Sequence, residues 1–154
     1  MAGDPKAIGD RLRAELAKIA SALTLEVTAE LVEACPVDTS HCRSNFVPSI
    51  GEAHDGEDDG AAQQAGIAAV MAYRLGAPLH ISNNVPYLGR LIGGSSSQAP
   101  VGWDVAAIDR GIATIQGQYA GSRIDVSSSG EVSARGAAPA GNLAGAYSPF
   151  GGDE

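Results

Sequence analysis

One stretch constrains this chain more than any other: Asp4 to Cys35 carries the marks of a single long helix. Asp4 supplies an N-cap carboxylate, and Pro5 takes the first helical position, where its missing N–H costs nothing. Apolar side chains follow at Ile8, Leu12, Leu16, Ile19, Leu23, Val27 and Leu31, in steps of three and four that keep them on one face. Leu25 and Val32 widen that face, so the helix is expected to pack on its own sheet and on something else. Cys35-Pro36 ends it, because a residue before proline is pushed out of the α region. A helix of this span is roughly 45 Å long at 1.5 Å per residue.

The rest of the chain is read as shorter elements. Pro36–Ser40 is a turn, with Asp38 or Thr39 placed to cap a brief helical turn. Asn45–Ile50 is a strand in which Pro48, lacking an N–H, belongs at an edge or bulge. Gly51–Gly60 is a solvated acidic loop; Asp55, Glu57, Asp58 and Asp59 lack the alternation and closing glutamate of a calcium-binding EF-hand. Ala61–Leu75 is a helix with Ile67, Val70, Met71 and Leu75 inward, ended by Gly76 and Pro78. Leu79–Ser82 is a strand, after which Asn83-Asn84, tolerant of positive φ, turn the chain ahead of Pro86. Asp104 caps a third helix, Val105 to about Tyr119, with Val105, Ile108, Ile112 and Ile115 inward. Ile124–Val126 and Val132 suit a hairpin around Ser128-Ser129-Gly130, while Gly136–Glu154 has little apolar periodicity and is expected to be disordered in a free monomer. The pattern predicts an α+β fold: a long N-terminal helix and two further helices packed on a small antiparallel sheet. A domain over 1–120 is expected to carry a flexible Gly/Ala/Ser-rich C-terminal arm over 121–154.

Composition narrows the function. The chain has 154 residues and a net charge of −8, from 10 Lys and Arg against 18 Asp and Glu. Non-specific nucleic-acid binding needs cations to displace phosphate counterions, so wrapping DNA is not expected. A wall through which DNA passes without sticking is compatible with this charge. Aromatic residues make up only 5%, so less area is buried per residue and support from neighbouring subunits is expected. The N-terminus lacks an apolar signal region and no apolar run approaches the ~20 residues that span a bilayer. A soluble protein made in the cytoplasm, with no membrane partner, is expected. Cys35, His41, Cys42 and His54 do not follow the paired spacing of structural zinc sites. A Cys35–Cys42 disulfide is not expected in a reducing cytoplasm. Ser82, His80 and Asp104 are present without a G-x-S-x-G elbow, and Gly93-Gly94-Ser95 lacks the lysine of a phosphate loop. No enzyme, cofactor or metal is expected.

What remains is Pro78–Gly102, dense in backbone-shaping residues and nearly empty of nucleophiles, bases and metal ligands. Such a stretch suits a surface built to fit another protein. Tyr87 and Trp103 are the aromatic candidates for the centre of that surface, and Arg74 and Arg90 for pairing with a neighbour's acids.

Three segments resemble the tail-completion (neck or minor tail) proteins of long-tailed bacteriophages. CPVDTSHCRSNF at 35–46 looks like that family's P-V-D-T-G … R-S-x-aromatic segment, directly after a long N-terminal helix. HISNNVPYLGRLIGGSSSQAP at 80–100 is similar to its I-x-N-x-x-P-Y-A-x-x-L-E-x-G-x-S-x-Q-A-P segment. Between them, Tyr73-Arg74-Leu75-Gly76 stands where the family has an aromatic, a basic residue and a glycine. The likeness covers about 35–119. Ser40 stands where glycine is usual, Ile92 where glutamate is common and Trp103 where methionine is frequent, and nothing after ~120 has a counterpart.

The resemblance implies a non-catalytic ring subunit, a hexamer by preference and a dodecamer as the other option. The ring would complete or terminate the tail and join it to the head connector, adaptor or stopper on one side and the tail tube on the other. Genome DNA would pass through its lumen, and the protein would reside in the virion after assembly in the host cytoplasm. The interface is expected at Pro36, Asp38 and Thr39 in the first segment, and at Asn83, Asn84, Pro86, Tyr87, Arg90, Gln98 and Pro100 in the second, with Trp103 just beyond. A small regulatory protein-binding module of phage or bacterial origin is the alternative from another class.

Overall fold

The computed structural model describes residues 4–37 and 40–120 in full, and the backbone of 123–126 and 132–135. The fold is α+β. Helix α1 (Pro5–Ala34) begins and ends as expected: the Asp4 carboxylate accepts from the Lys6 N–H at 3.0 Å, and Cys35 leaves the helix in extended backbone with ψ 129°. Burial along α1 is uneven. Leu16 is half-exposed, whereas Ala17, Ala22, Thr24, Leu25, Val27, Thr28 and Leu31 are buried on several sides. The two buried threonines satisfy their hydroxyls within the helix, Thr24 on the Ala20 carbonyl at 2.9 Å and Thr28 on that of Thr24 at 2.7 Å. On one side of α1, Val27 and Leu31 join Cys35, Cys42, Phe46, Ala99, Trp103 and Ala107 in the larger core. On another, Leu25 joins Ile67, Val70 and Leu79 in a smaller one.

After α1 come a single helical turn α2 (His41–Ser44), strand β1 (Val47–Ile50), helix α3 (Ala61–Met71), strand β2 (Leu79–Ser82), a short helix α4 (Leu88–Ile92) and helix α5 (Trp103–Gln118). Strands β1 and β2 pair antiparallel, with Val47 opposite Ser82 and Ile50 opposite Leu79. In a two-stranded sheet both strands are edges, which is where Pro48 is tolerated. Helix α3 lies so close to β1 that a Cβ on Gly66 would sit 2.0 Å from the Pro48 carbonyl oxygen. Backbone strands β3 (Arg123–Val126) and β4 (Val132–Arg135) pair antiparallel where a last hairpin is expected, and β4 runs beside α1. The rest of the expected arm over 121–154, with the turn at Ser128-Ser129-Gly130, lies outside the described residues.

Several local expectations are corrected. Helix α3 stops at Met71, four residues short of Leu75. The Val70 carbonyl, which would continue the ladder, instead accepts the Ser21 hydroxyl at 2.7 Å and the Tyr73 N–H at 3.1 Å. Met71 and Leu75 are therefore exposed, and Gln63 is buried in their stead, donating to the carbonyls of Arg43 and Phe46. Asp104 does not cap α5; the N-cap is Gly102, at φ +74°. The inward face of α5 also differs. Trp103, Ala107, Gly111 and Ile115 are buried, whereas Val105 is 57% exposed and Ile108 and Ile112 are 36% exposed. The reason is interaxial distance: a Cβ on Gly111 would meet the Val27 Cα and Cγ2 at 2.9 Å, so α1 accepts only the small-residue face. Arg110 and Glu30 close the rim of this helix pair at 2.7 Å.

Candidate functional site

Two of the three segments that carry the resemblance, 35–46 and 80–100, meet around one cleft of about 550 Å³. Pro36 and Val37 leave α1 along one wall, Ser40 and Cys42 come from α2, and Tyr87, Arg90 and Leu91 from α4 and its lead-in. The serine loop Ser95–Ser97 with Gln98 completes the ring of lining residues. These walls are tied across the chain, because the Val37 N–H donates to the Gln98 Oε1 at 2.8 Å. The loop from Gly93 to Gly102 folds back on α4: the Leu91 carbonyl accepts from the Gly94 N–H at 3.1 Å and the Trp103 indole at 3.2 Å. The Ile92 carbonyl takes the Gly102 N–H at 3.1 Å. Gly94 is required here on two counts, a φ of +83° and a Cβ position only 2.6 Å from Val101 Cγ2.

Ser40 starts α2 with φ +61°, the one non-glycine residue with positive φ among the described residues. It makes no side-chain cap to the turn that follows, and Asp38 and Thr39 lie outside the described residues. Behind the cleft, the buried Asn45 side chain braces α2 against the acidic loop. Its Nδ2 donates to the carbonyls of His41 at 2.8 Å and Asp58 at 3.0 Å, and its Oδ1 accepts the Asp58 N–H at 3.0 Å. Asp58 in turn caps α3, accepting from the N–H groups of Gly60 and Ala62. At least one loop carboxylate thus has a structural task, and among the described residues no group of three or more His, Cys, Asp or Glu is arranged to hold a metal.

Of the expected interface residues, Pro36, Tyr87, Arg90 and Gln98 line the cleft together. Pro86 and Pro100 are exposed but not part of its lining. Asn83 and Asn84 turn the chain by another means than expected, since neither has positive φ. Asn83 donates to the Cys42 carbonyl at 2.9 Å and accepts the Val85 N–H, while Asn84 donates to the carbonyls of His54 and Gly56. They are clamps between segments. Trp103 is corrected outright: it is 3% exposed, its ring edge-on to Phe46 at 6.3 Å, and it presents no surface to a partner. The Phe46–Trp103 pair forms the floor beneath α4 because an indole with a bonded N–H is stable in a core.

Among the described residues the polar lining comprises four serines, Gln98, the Tyr87 hydroxyl and the exposed Arg90, with neither carboxylate nor imidazole. Ser82 and His80, weighed above as hydrolase parts, are each bonded to backbone carbonyls, of His54 and Gly51 respectively. What the sequence did not reveal is a thiol pair at the cleft floor. Cys35 Sγ lies 2.9 Å from Cys42 Sγ, with both residues buried. The hydrogen bond between them pushes the Cys35 thiol well above its ordinary value, with burial adding to the effect. The same hydrogen bond holds Cys42 below its ordinary value, against the opposing effect of burial and with help from the Asn83 amide. Among the described residues no helix is long and apolar enough to cross a membrane. Compared with family models, curated proteins and solved structures, the chain finds no match.

Proposed function

We propose that this chain is a non-catalytic structural subunit of a bacteriophage neck or tail, forming a ring that completes the tail and joins it to the head connector. The observation that carries this is the convergence of two of the three resembling segments on one cleft, linked by the Val37–Gln98 hydrogen bond. Ser40 adds to it, because it holds left-handed backbone at the position where the resembled family carries glycine. The exposed stripe Val105, Ile108 and Ile112 adds an apolar face along α5 at helical spacing, with Val101 exposed in the turn before it, suited to a neighbouring subunit. In this assignment the cleft, with Tyr87, Arg90 and Gln98 at its rim, receives a segment of the connector, stopper or tail-tube protein. The acidic chain lets DNA pass through the lumen without binding, and the 121–154 segment acts as an arm that strengthens assembly.

Negative-stain imaging with mass determination, on the purified protein and on virions, tests this. A ring with a central hole, located at the head–tail junction, is the expected result, and Ile108→Asp is expected to weaken or abolish it. A monodisperse monomer absent from the particle would overturn the assignment in favour of a small regulatory binding module.

A further inference from the structure

We propose that Cys42 and Cys35 form a thiol–disulfide exchange site that opens on the cleft and takes small peptide disulfides, of which glutathione disulfide is the type. Three features of the geometry converge on this. The two sulfur atoms are in direct contact at 2.9 Å, although the residues stand on different elements, one ending α1 and the other within α2. Both residues are buried, but unequally: Cys42 is among the residues that line the cleft, at 4% exposure, whereas Cys35 is fully buried and does not line it. The pair is also held in place from outside. Arg43 donates to the carbonyls of Cys35 at 2.9 Å and Glu33 at 3.0 Å, pinning α2 to the end of α1. Asn83 Nδ2 holds the Cys42 carbonyl at 2.9 Å and lies 3.8 Å from its sulfur, a donor facing the atom that must carry negative charge.

The two thiols are also unequal. Cys42 accepts the hydrogen bond from Cys35 and is the more acidic; Cys35 remains protonated. This is the division between an attacking and a resolving cysteine. A cleft of about 550 Å³ falls within the size range of small-molecule sites. Its serine hydroxyls and Arg90 offer donors to the carboxylates of an acidic peptide disulfide.

The chemistry balances without a further reactant. The Cys42 thiolate attacks one sulfur of the small disulfide, forming a mixed disulfide and expelling one thiolate. Cys35 then gives up its proton to the thiolate just expelled and attacks Cys42 Sγ. A Cys35–Cys42 bond forms, the mixed disulfide breaks, and the second thiolate leaves. One small disulfide is reduced to two thiols while the two protein thiols are oxidised to one disulfide. The product covalently ties α1 to α2 and fixes one wall of the cleft.

The exchange uses the same cleft as the partner segment proposed above, so it belongs to the unassembled protein and is tested on the full chain in that state. The protein is equilibrated with glutathione and glutathione disulfide at a series of ratios, quenched with acid and alkylated, then read by intact mass and peptide mapping. The expected result is loss of both alkylatable thiols together, a linked Cys35–Cys42 peptide, and an oxidation constant at least about tenfold larger for the native chain than for the chain in urea. Cys35→Ser is expected to stop at one glutathione adduct on Cys42, and Cys42→Ser to react at least about tenfold more slowly. The proposal is overturned if the native chain oxidises no more favourably than the unfolded one, a comparison that needs no variant. Links between chains instead of within one, or equal rates for the two variants, would overturn it as well.

Discussion

The close approach of α3 to β1 makes Gly66→Ala the sharpest test of the fold. In an unconstrained helix this change is favourable by about 1 kcal/mol, because alanine has the higher helix propensity. Here the new Cβ would lie 2.0 Å from the Pro48 carbonyl oxygen and 3.1 Å from its carbon. Ordinary carbon–oxygen contacts begin at about 3.3 Å, so helix and strand must part by about 1.3 Å. Neither atom belongs to a flexible side chain. The Pro48 carbonyl is main chain in the β1–β2 pair, and α3 is anchored by Ile67 and Val70 in the core with Leu25. Overpacking of this kind costs about 3 kcal/mol, at the upper end of the usual range because rigid backbone must move. The net expectation is a loss of about 2 kcal/mol, or a Tm lower by about 8 °C for a domain of this size. Gly9→Ala is the internal control, since Gly9 lies in α1 with nothing within 4 Å of its Cβ position. It should gain up to about 1 kcal/mol and raise Tm by a few degrees. Thermal unfolding and urea titration of both variants give the answer. If Gly66→Ala matches or exceeds the wild type while Gly9→Ala behaves as stated, the packing of α3 on β1 is wrong.

Three further outcomes are expected. Ser40→Gly relieves a left-handed residue at φ +61° and should stabilise by about 1 kcal/mol, seen as a higher urea midpoint at constant slope. Asn45→Ala removes the side-chain hydrogen bonds to His41 and Asp58 and leaves the Asp58 N–H without its acceptor, so a loss of about 3 kcal/mol is expected in the same titration. Glu26 is pushed above the ordinary 4.5 by burial and then by the charge of Glu30. A carboxyl raised in the folded state favours folding below its unfolded value, and that advantage is lost as pH rises through the folded value. Glu26→Gln should therefore raise Tm at pH 7 by a small amount, below ~1 kcal/mol in stability, with the gain vanishing under pH ~4; a gain that persists in acid would show that charge is not the cause.

How much of the candidate site the sequence made legible depends on the residue. Pro36, Tyr87, Arg90 and Gln98 were named from two separated segments, and the structure gathers them at one cleft. A tryptophan after proline and glycine reads as a loop aromatic, and only the tertiary contact with Phe46 and Leu91 shows Trp103 to be core. The thiol contact was equally hidden. Six residues separate Cys35 from Cys42, and spacing alone says nothing of whether a turn brings two sulfurs together. The signal available for the turn was Ser40, a serine at a position where the resembled family has glycine.

The sequence by itself determined the helix α1, from the Asp4-Pro5 start to the Cys35-Pro36 stop, and the strands β1 and β2. Those signals are local: a cap, a fixed φ, a forbidden α conformation, the shape of a few neighbouring residues. Tertiary structure decided which face of α5 turns inward and where α3 stops. Helix α5 carries two stripes at helical spacing, Val105, Ile108 and Ile112 on one face and Trp103, Ala107, Gly111 and Ile115 on another. Hydrophobicity favours the first, but α5 comes within reach of Val27 on α1 only over glycine and alanine, so distance selects the second. The end of α3 is likewise set by Ser21, 49 residues earlier in the chain, whose hydroxyl takes up the Val70 carbonyl. Local restrictions fix where elements begin; the separation of packed backbones fixes which side chains they bury.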